Sequence, residues 1–292
     1  MPATLTAGPP LQFAHLAIGY GKSRVVGTDL NGALQAGRLT CLIGRNGAGK
    51  STLLRTLGGL QPPLPGREKA DISLLGRPLN QYGARQLARA VAVVLTERVP
   101  DPYITALEVV RTGRYAHTGT SGRLHASDHR AVSQALVLTE TTALASRPMR
   151  ALSDGEQQRV MMARALAQEA PVILLDEPTA FLDLSAAPAH IGLLRRLAHR
   201  RGKAVLLTCH DVEAALHMAD MVWLLHEGCL TCAPPRQLAD SGAIARCFGS
   251  AYLRFDPREM RFIPQWAERR GRRSGGITRH AGERGGKNKV GP

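Results

Sequence analysis

The sequence predicts an α/β fold built around a parallel sheet, and three observations carry that prediction. Leu39-Thr40-Cys41-Leu42-Ile43, Val172-Ile173-Leu174-Leu175 and Ala204-Val205-Leu206-Leu207-Thr208-Cys209 are short, almost wholly apolar runs, the pattern of strands buried on both faces. The first runs straight into a glycine-rich loop, Gly44-Arg45-Asn46-Gly47-Ala48-Gly49, and then into a helical pattern through Leu53, Leu54 and Leu57. The second follows a polar helix start at Ser153 and ends in two carboxylates, Asp176 and Glu177.

From the amino terminus, residues 11–43 and about 67–80 read as short strands with turns, a small antiparallel β lobe. The Pro-rich Gln61–Gly66 is a connection. Val91-Ala92-Val93-Val94-Leu95 is a further strand. Between about 98 and 158 lies a helical insertion, with Ala106–Thr112 and Asp128–Leu138 divided by the Gly-rich Tyr115–Gly122. Ser153 with Glu156 three residues on, ahead of Val160, Met161, Ala163, Ala165 and Leu166, predicts a capping-box helix start. Such a start leaves bare amides and a positive dipole end, a natural anion seat. After Val172–Leu175, Pro178 stops the ladder, so Asp176 and Glu177 should emerge at the carboxyl edge of the sheet, where open α/β folds bind ligands.

The loop, continued by Lys50, Ser51 and Thr52, matches G-x-x-x-x-G-K-[ST]. Glycines let the backbone aim its N–H groups inward, Lys50 places a cation on the β- and γ-phosphates, and the Ser51 hydroxyl can ligate Mg²⁺. The expected core is therefore a P-loop NTPase of RecA-like type.

With these residues in this order, the chain resembles the ABC (ATP-binding cassette) ATPases over about residues 11–255. The resemblance implies ATP and Mg²⁺ as ligands. It implies that Asp176 holds the metal's water shell, that Glu177 polarises the attacking water, and that His210, closing the third apolar strand, is the switch histidine on the γ-phosphate. Tyr20, in Gly19-Tyr20-Gly21, matches the aromatic that stacks on adenine. Ser153, Asp154, Gly155 and Glu156 occupy the signature, which in this family closes on ATP held by a second copy, and Asp183 stands at the dimer-contact aspartate. The inserted lobe matches the one that receives a helix from an integral membrane permease.

Two positions depart from the family pattern. The usual Leu-Ser-Gly-Gly-Gln reads Leu152-Ser153-Asp154-Gly155-Glu156. Both acids fall in the first turn of a helix, where the dipole favours them, and Glu156 doubles as the capping-box acceptor, so activity is expected to survive. After Val91–Leu95 the family places a glutamine, whereas this chain has Thr96-Glu97; either could serve, and Glu97 offers a hard oxygen donor to Mg²⁺.

Bulk properties bound the remainder. At 292 residues the chain can bury a full α/β core with an insertion. No stretch approaches about 18 consecutive apolar residues, and Met1–Pro10 lacks a signal pattern, so a cytoplasmic protein is expected, peripheral on the membrane's inner face. Much of the +15 net charge lies in a Gly-rich basic tail from Arg269 onward, expected to be disordered, which ends a carboxyl-terminal segment, 256–292. No aromatics interleave those charges, so no specific nucleic-acid partner is expected. Cys41, Cys209, Cys229, Cys232 and Cys247 suit a reducing compartment. His226, Cys229 and Cys232 do not read as a metal site, since residues three apart on a strand point to opposite faces.

Likeness places the chain nearest to importer subunits for iron–siderophore, haem or cobalamin uptake, with ferric siderophore favoured. It is carried by Leu95–Arg98, Gly113-Arg114-Tyr115 and the run from Asp176 to Asp183. The partners so implied are a second copy, permease subunits and, indirectly, a periplasmic substrate-binding protein. The alternatives are a soluble ABC ATPase of the Fe–S assembly type and an exporter subunit.

Overall fold

The computed structural model describes residues 8–20, 24–66, 68–95, 101, 103–119, 122–179 and 186–265. In chain order the first half contains β1 (Leu11–Tyr20), β2 (Arg24–Leu34), β3 (Leu39–Ile43), α1 (Lys50–Leu57), β4 (Asp71–Leu74), β5 (Arg77–Pro78), α2 (Ala84–Ala90) and β6 (Val91–Val94). Three helices follow, α3 (Ala106–Thr112), α4 (Ala126–Leu138) and α5 (Asp154–Ala167), and then β7 (Val172–Leu175), α6 (Ala186–Arg201), β8 (Ala204–Thr208) and α7 (Val212–Met218). The remainder is β9 (Met221–His226), β10 (Cys229–Ala233), α8 (Pro235–Asp240), α9 (Ala243–Phe248), β11 (Leu253–Asp256) and β12 (Arg261–Pro264).

The main sheet has the order β10-β9-β3-β8-β7-β6. All neighbours pair in parallel except β10, which returns antiparallel along β9. Period-two alternation sorts the side chains into two layers. Cys41, Ile43, Ile173, Leu175, Val205 and Leu207 pack with α5, α6 and α7 on one face. Leu42, Val172, Leu174, Ala204 and Leu206 pack on the other face with Leu53, Leu54 and Leu57 of α1 and with the antiparallel lobe. Burying each Leu or Ile contributes roughly 1.5–3 kcal/mol, so the double layer explains why these strands carry no polar face. The edge strand β6 is guarded by α5 and the turn after it: Arg164 donates to the Val93 carbonyl at 3.2 Å and Gln168 to that of Val91 at 2.8 Å.

The antiparallel lobe has the order β2-β1-β4-β5. Its first two strands are not short: they run 10 and 11 residues. Register shifts interrupt their pairing, and non-glycine left-handed residues at His15 (φ 52) and Asp29 (φ 54) lie within it. These irregularities mask the alternation by which long strands are recognised. Of the span 11–43, Leu11–Tyr20 and Arg24–Leu34 form strands of this lobe, whereas Leu39–Ile43 is a central strand of the parallel sheet.

The inserted lobe packs α3, α4 and α5 through Val109, Val110, Val132, Leu136, Val160 and Ala163. Helix α3 has the expected bounds, whereas α4 begins at Ala126, two residues earlier than expected. Buried Arg114 locks the lobe together. It donates to Asp128 of α4 at 2.9 Å, to the Ala167 carbonyl at the end of α5 at 2.6 Å, and to Glu169 at 2.7 Å. At the carboxyl end β11 and β12 form an antiparallel hairpin in which Phe255 pairs with Phe262 and Asp256 with Arg261, with the Phe262 ring against Phe248 and Phe255. The expected basic tail lies outside the described residues. Among the described residues no helix is long and apolar enough to cross a membrane.

Candidate functional site

The carboxyl ends of β3, β7 and β8 open on one edge of the main sheet and bring together residues far apart in sequence. From β3 the chain turns through Gly44–Gly49 into α1. Gly49 caps α1 at φ 101, a left-handed value that glycine tolerates, and a Cβ there would lie 2.3 Å from Val26 Cγ1. A Cβ at Gly44 would lie 2.4 Å from the Leu225 carbonyl oxygen. Steric fit alone thus demands glycine at both positions. Within the turn the Ala48 amide donates to the Arg45 carbonyl at 3.1 Å, and Arg45, Asn46 and Gly47 stay exposed.

Lys50 is buried, and its ammonium donates to the Gly44 and Arg45 carbonyls at 2.9 and 3.3 Å. Burial lowers its pKa below the ordinary lysine value, while the Glu177 and Asp176 carboxylates oppose that shift. The ammonium therefore lies across the loop's own carbonyls, a partnership that an anionic phosphate can better. Beside it the Ser51 hydroxyl donates to Asp176 Oδ1 at 3.1 Å. The Thr52 hydroxyl donates to the Tyr20 phenol oxygen at 2.6 Å, fixing a ring that is half exposed at the end of β1.

Asp176 and Glu177 leave β7 in opposite senses. Asp176 is 3 % exposed; its backbone amide donates to the Val94 carbonyl at 2.8 Å, and its Oδ1 also accepts from the Thr208 hydroxyl at 2.8 Å. Glu177 turns into left-handed backbone at φ 49, which costs a non-glycine residue roughly 1–2 kcal/mol. Its carboxylate meets His210 Nε2 at 2.5 Å. Glu177 and His210 both line a cleft of about 540 Å³. Asn46, Gly47, Gly49, Lys50 and Ser51 line it as well, with Tyr20, Arg24 and Val26.

Helix α5 starts as expected. Ser153 Oγ accepts from the Glu156 amide at 3.3 Å, and Glu156 Oε2 accepts from the Ser153 amide at 2.8 Å. The Ser153 backbone N–H, then its hydroxyl and nearby Arg147, hold the Glu156 carboxyl below the usual glutamate range despite some desolvation. Ser153 and Asp154 are exposed, and none of Ser153, Asp154, Gly155 or Glu156 is among the described residues lining the cleft. Thr96, Glu97 and Asp183 lie outside the described residues. Sequence reading missed Arg24 and Val26, which carry no motif, and Thr208, whose only signal is a hydroxyl at the end of a buried strand two residues before His210.

The ABC transporter domain matches residues 28–180. An uncharacterized ABC transporter ATP-binding protein of Methanocaldococcus jannaschii is 39% identical over 74% of this chain and 72% of its own length. The iron(3+)-hydroxamate import ATP-binding protein of Bacillus subtilis is 36% identical over 75% of this chain and 79% of its own. The hemin import ATP-binding protein of Burkholderia pseudomallei is 38% identical over 77% and 88%. Among solved structures, a chain from an inward-facing ABC transporter described as of metal-chelate type superposes with a TM-score of 0.73 at 27% identity, covering 89% of this chain and 98% of that one. A cleft framed by that loop and those strand ends, in a chain with these relatives, belongs to an ATPase: the chain is a member of the ABC transporter ATP-binding family.

Proposed function

We propose that this ATPase drives an importer as a head-to-tail dimer bound to permease subunits on the cytoplasmic face of the membrane. Its cargo in this reading is a ferric siderophore or a related iron, haem or cobalamin compound, delivered by a periplasmic substrate-binding protein. Support for the cargo class comes from the relatives, whose names specify import of iron(3+)-hydroxamate and hemin. Support for the dimer comes from the exposed start of α5, which lines no part of the cleft in its own chain.

The observation that carries the chemistry is the Glu177–His210 pair at 2.5 Å, which lines the same cleft as Lys50 and its loop. ATP lies with its phosphates along Gly44–Thr52 and its base against Tyr20. Lys50 exchanges its carbonyl partners for phosphate oxygens. The Ser51 hydroxyl and the Asp176 carboxylate, 3.1 Å apart, form a hard oxygen donor set that fits Mg²⁺, which when bound neutralises charge on the β- and γ-phosphates. Glu97 or Thr96 supplies a further donor on that side. Glu177 takes the proton of the attacking water, and His210 orients its carboxylate and reaches the γ-phosphate. Ser153 and Gly155 of the second copy close over the same ATP, with Asp183 at the contact. The carboxylate of Glu156 is already engaged by the Ser153 amide and faces Arg147 at 3.5 Å, so its charge is compensated within its own helix start.

General-base chemistry contributes about 10²–10⁴ in rate. Glu177→Gln should slow hydrolysis by that factor, retain ATP and prolong the closed dimer; turnover at the parental rate would remove Glu177 from the role. Cargo is tested by uptake of ferric hydroxamate, hemin and cobalamin in cells carrying Glu177→Gln in place of the parental chain. Undiminished uptake of all three would reject the cargo class.

A further inference from the structure

We propose that Thr208 is the positioning residue that holds Glu177 and Asp176 in working register, an inference that rests on Glu177 as the base. The parallel ladder between β7 and β8 ends at Leu175 opposite Leu207. One step further a side chain replaces the backbone: the Glu177 amide donates to Thr208 Oγ1 at 2.7 Å, and that hydroxyl donates to Asp176 Oδ1 at 2.8 Å. A hydroxyl has one proton, so accepting from the amide directs its proton to Asp176. One oxygen thus secures the left-handed turn at Glu177 (φ 49) and orients the carboxylate that Ser51 also contacts at 3.1 Å. Thr208 has no exposed surface and is absent from the described lining of the cleft. It can therefore act on the reaction only through its two neighbours.

Valine matches threonine in shape but leaves a buried amide and a carboxylate oxygen each short of a partner. In Thr208→Val, kcat should fall about 10–100-fold while KM for ATP, and Kd for ATP measured in EDTA, change less than about threefold. Thr208→Ser, which keeps the hydroxyl, should return kcat to within about threefold. In a Glu177→Gln background Thr208→Val should cost less than it does alone, because the part of its effect that runs through placement of the Glu177 carboxylate is already lost, whereas the part that runs through Asp176 remains. If the valine protein does not accumulate, Thr208→Ala is read by the same criteria. Fully multiplicative losses in the double variant, or equal losses with serine and valine, would overturn the inference. A crippled Glu177→Gln beside parental kcat in Thr208→Val overturns it alone, whereas parental turnover by Glu177→Gln overturns it together with the reading beneath it.

Discussion

Two regions of this chain carry acids beside hydroxyls, and they are held by opposite means. At the sheet edge Asp176 is 3 % exposed and bonded to Ser51 and Thr208, 125 and 32 residues away in sequence. At the start of α5, Ser153 and Glu156 bond each other across three residues and Ser153 remains exposed. The first arrangement exists only because the parallel sheet folds; the second is a local motif that any helix could carry. A buried carboxylate already held by two hydroxyls suits a group that must orient a ligand. A self-capped, exposed helix start suits a surface completed by another molecule.

The largest effect tests whether the lobe that presents α5 depends on tertiary support. Arg114→Ala leaves the Asp128 carboxylate buried without its cation. Burial pushes that carboxyl up, but the His125 N–H and Arg114 outweigh it and hold it below the usual aspartate range. Breaking such a pair costs about 3–5 kcal/mol, to be read as a lower urea midpoint; a parental midpoint would mean that the lobe owes nothing to this charge pairing. The next tests the division of the site between copies. Lys50→Ala and Ser153→Ala should each lower ATPase activity by about 100-fold or more, as removal of a charge-stabilising donor does. Mixing the two inactive proteins should restore activity well above either alone, since a heterodimer retains one intact pairing. No recovery on mixing would confine the site to one chain and erase the contrast between the two regions.

The smallest effect concerns Glu156. Its folded pKa is depressed, so its stabilisation is present above the unfolded value of about 4.3 and is lost as pH falls through the lower folded value. Glu156→Gln should lower the thermal midpoint near neutral pH by an amount equivalent to at most about 1 kcal/mol, and the two proteins should converge in acid. A difference that persists in acid would assign the effect to shape rather than charge.

Legibility followed the range of the forces. The phosphate loop, the capping box of α5, the buried strands and the bounds of α3 were readable because each rests on residues within a turn or a strand of one another. The extent of β1 and β2 was not, because register shifts and the left-handed His15 and Asp29 break the alternation. Nor was the bridge from Arg114 to the carboxylates of Asp128 and Glu169 legible, since nothing local marks which acid a buried guanidinium will meet.

By itself the sequence determined a loop that needs glycine, a cation at Lys50, two acids after an apolar strand and a histidine after another, since backbone sterics and hydrophobic period act over a few residues. Only the tertiary structure decided that Glu177 turns left-handed toward His210, that one hydroxyl of Thr208 serves both acids, and that the start of α5 stays out of its own chain's cleft. Those outcomes depend on which strands become neighbours, and strand order is set by packing the whole double-layered core.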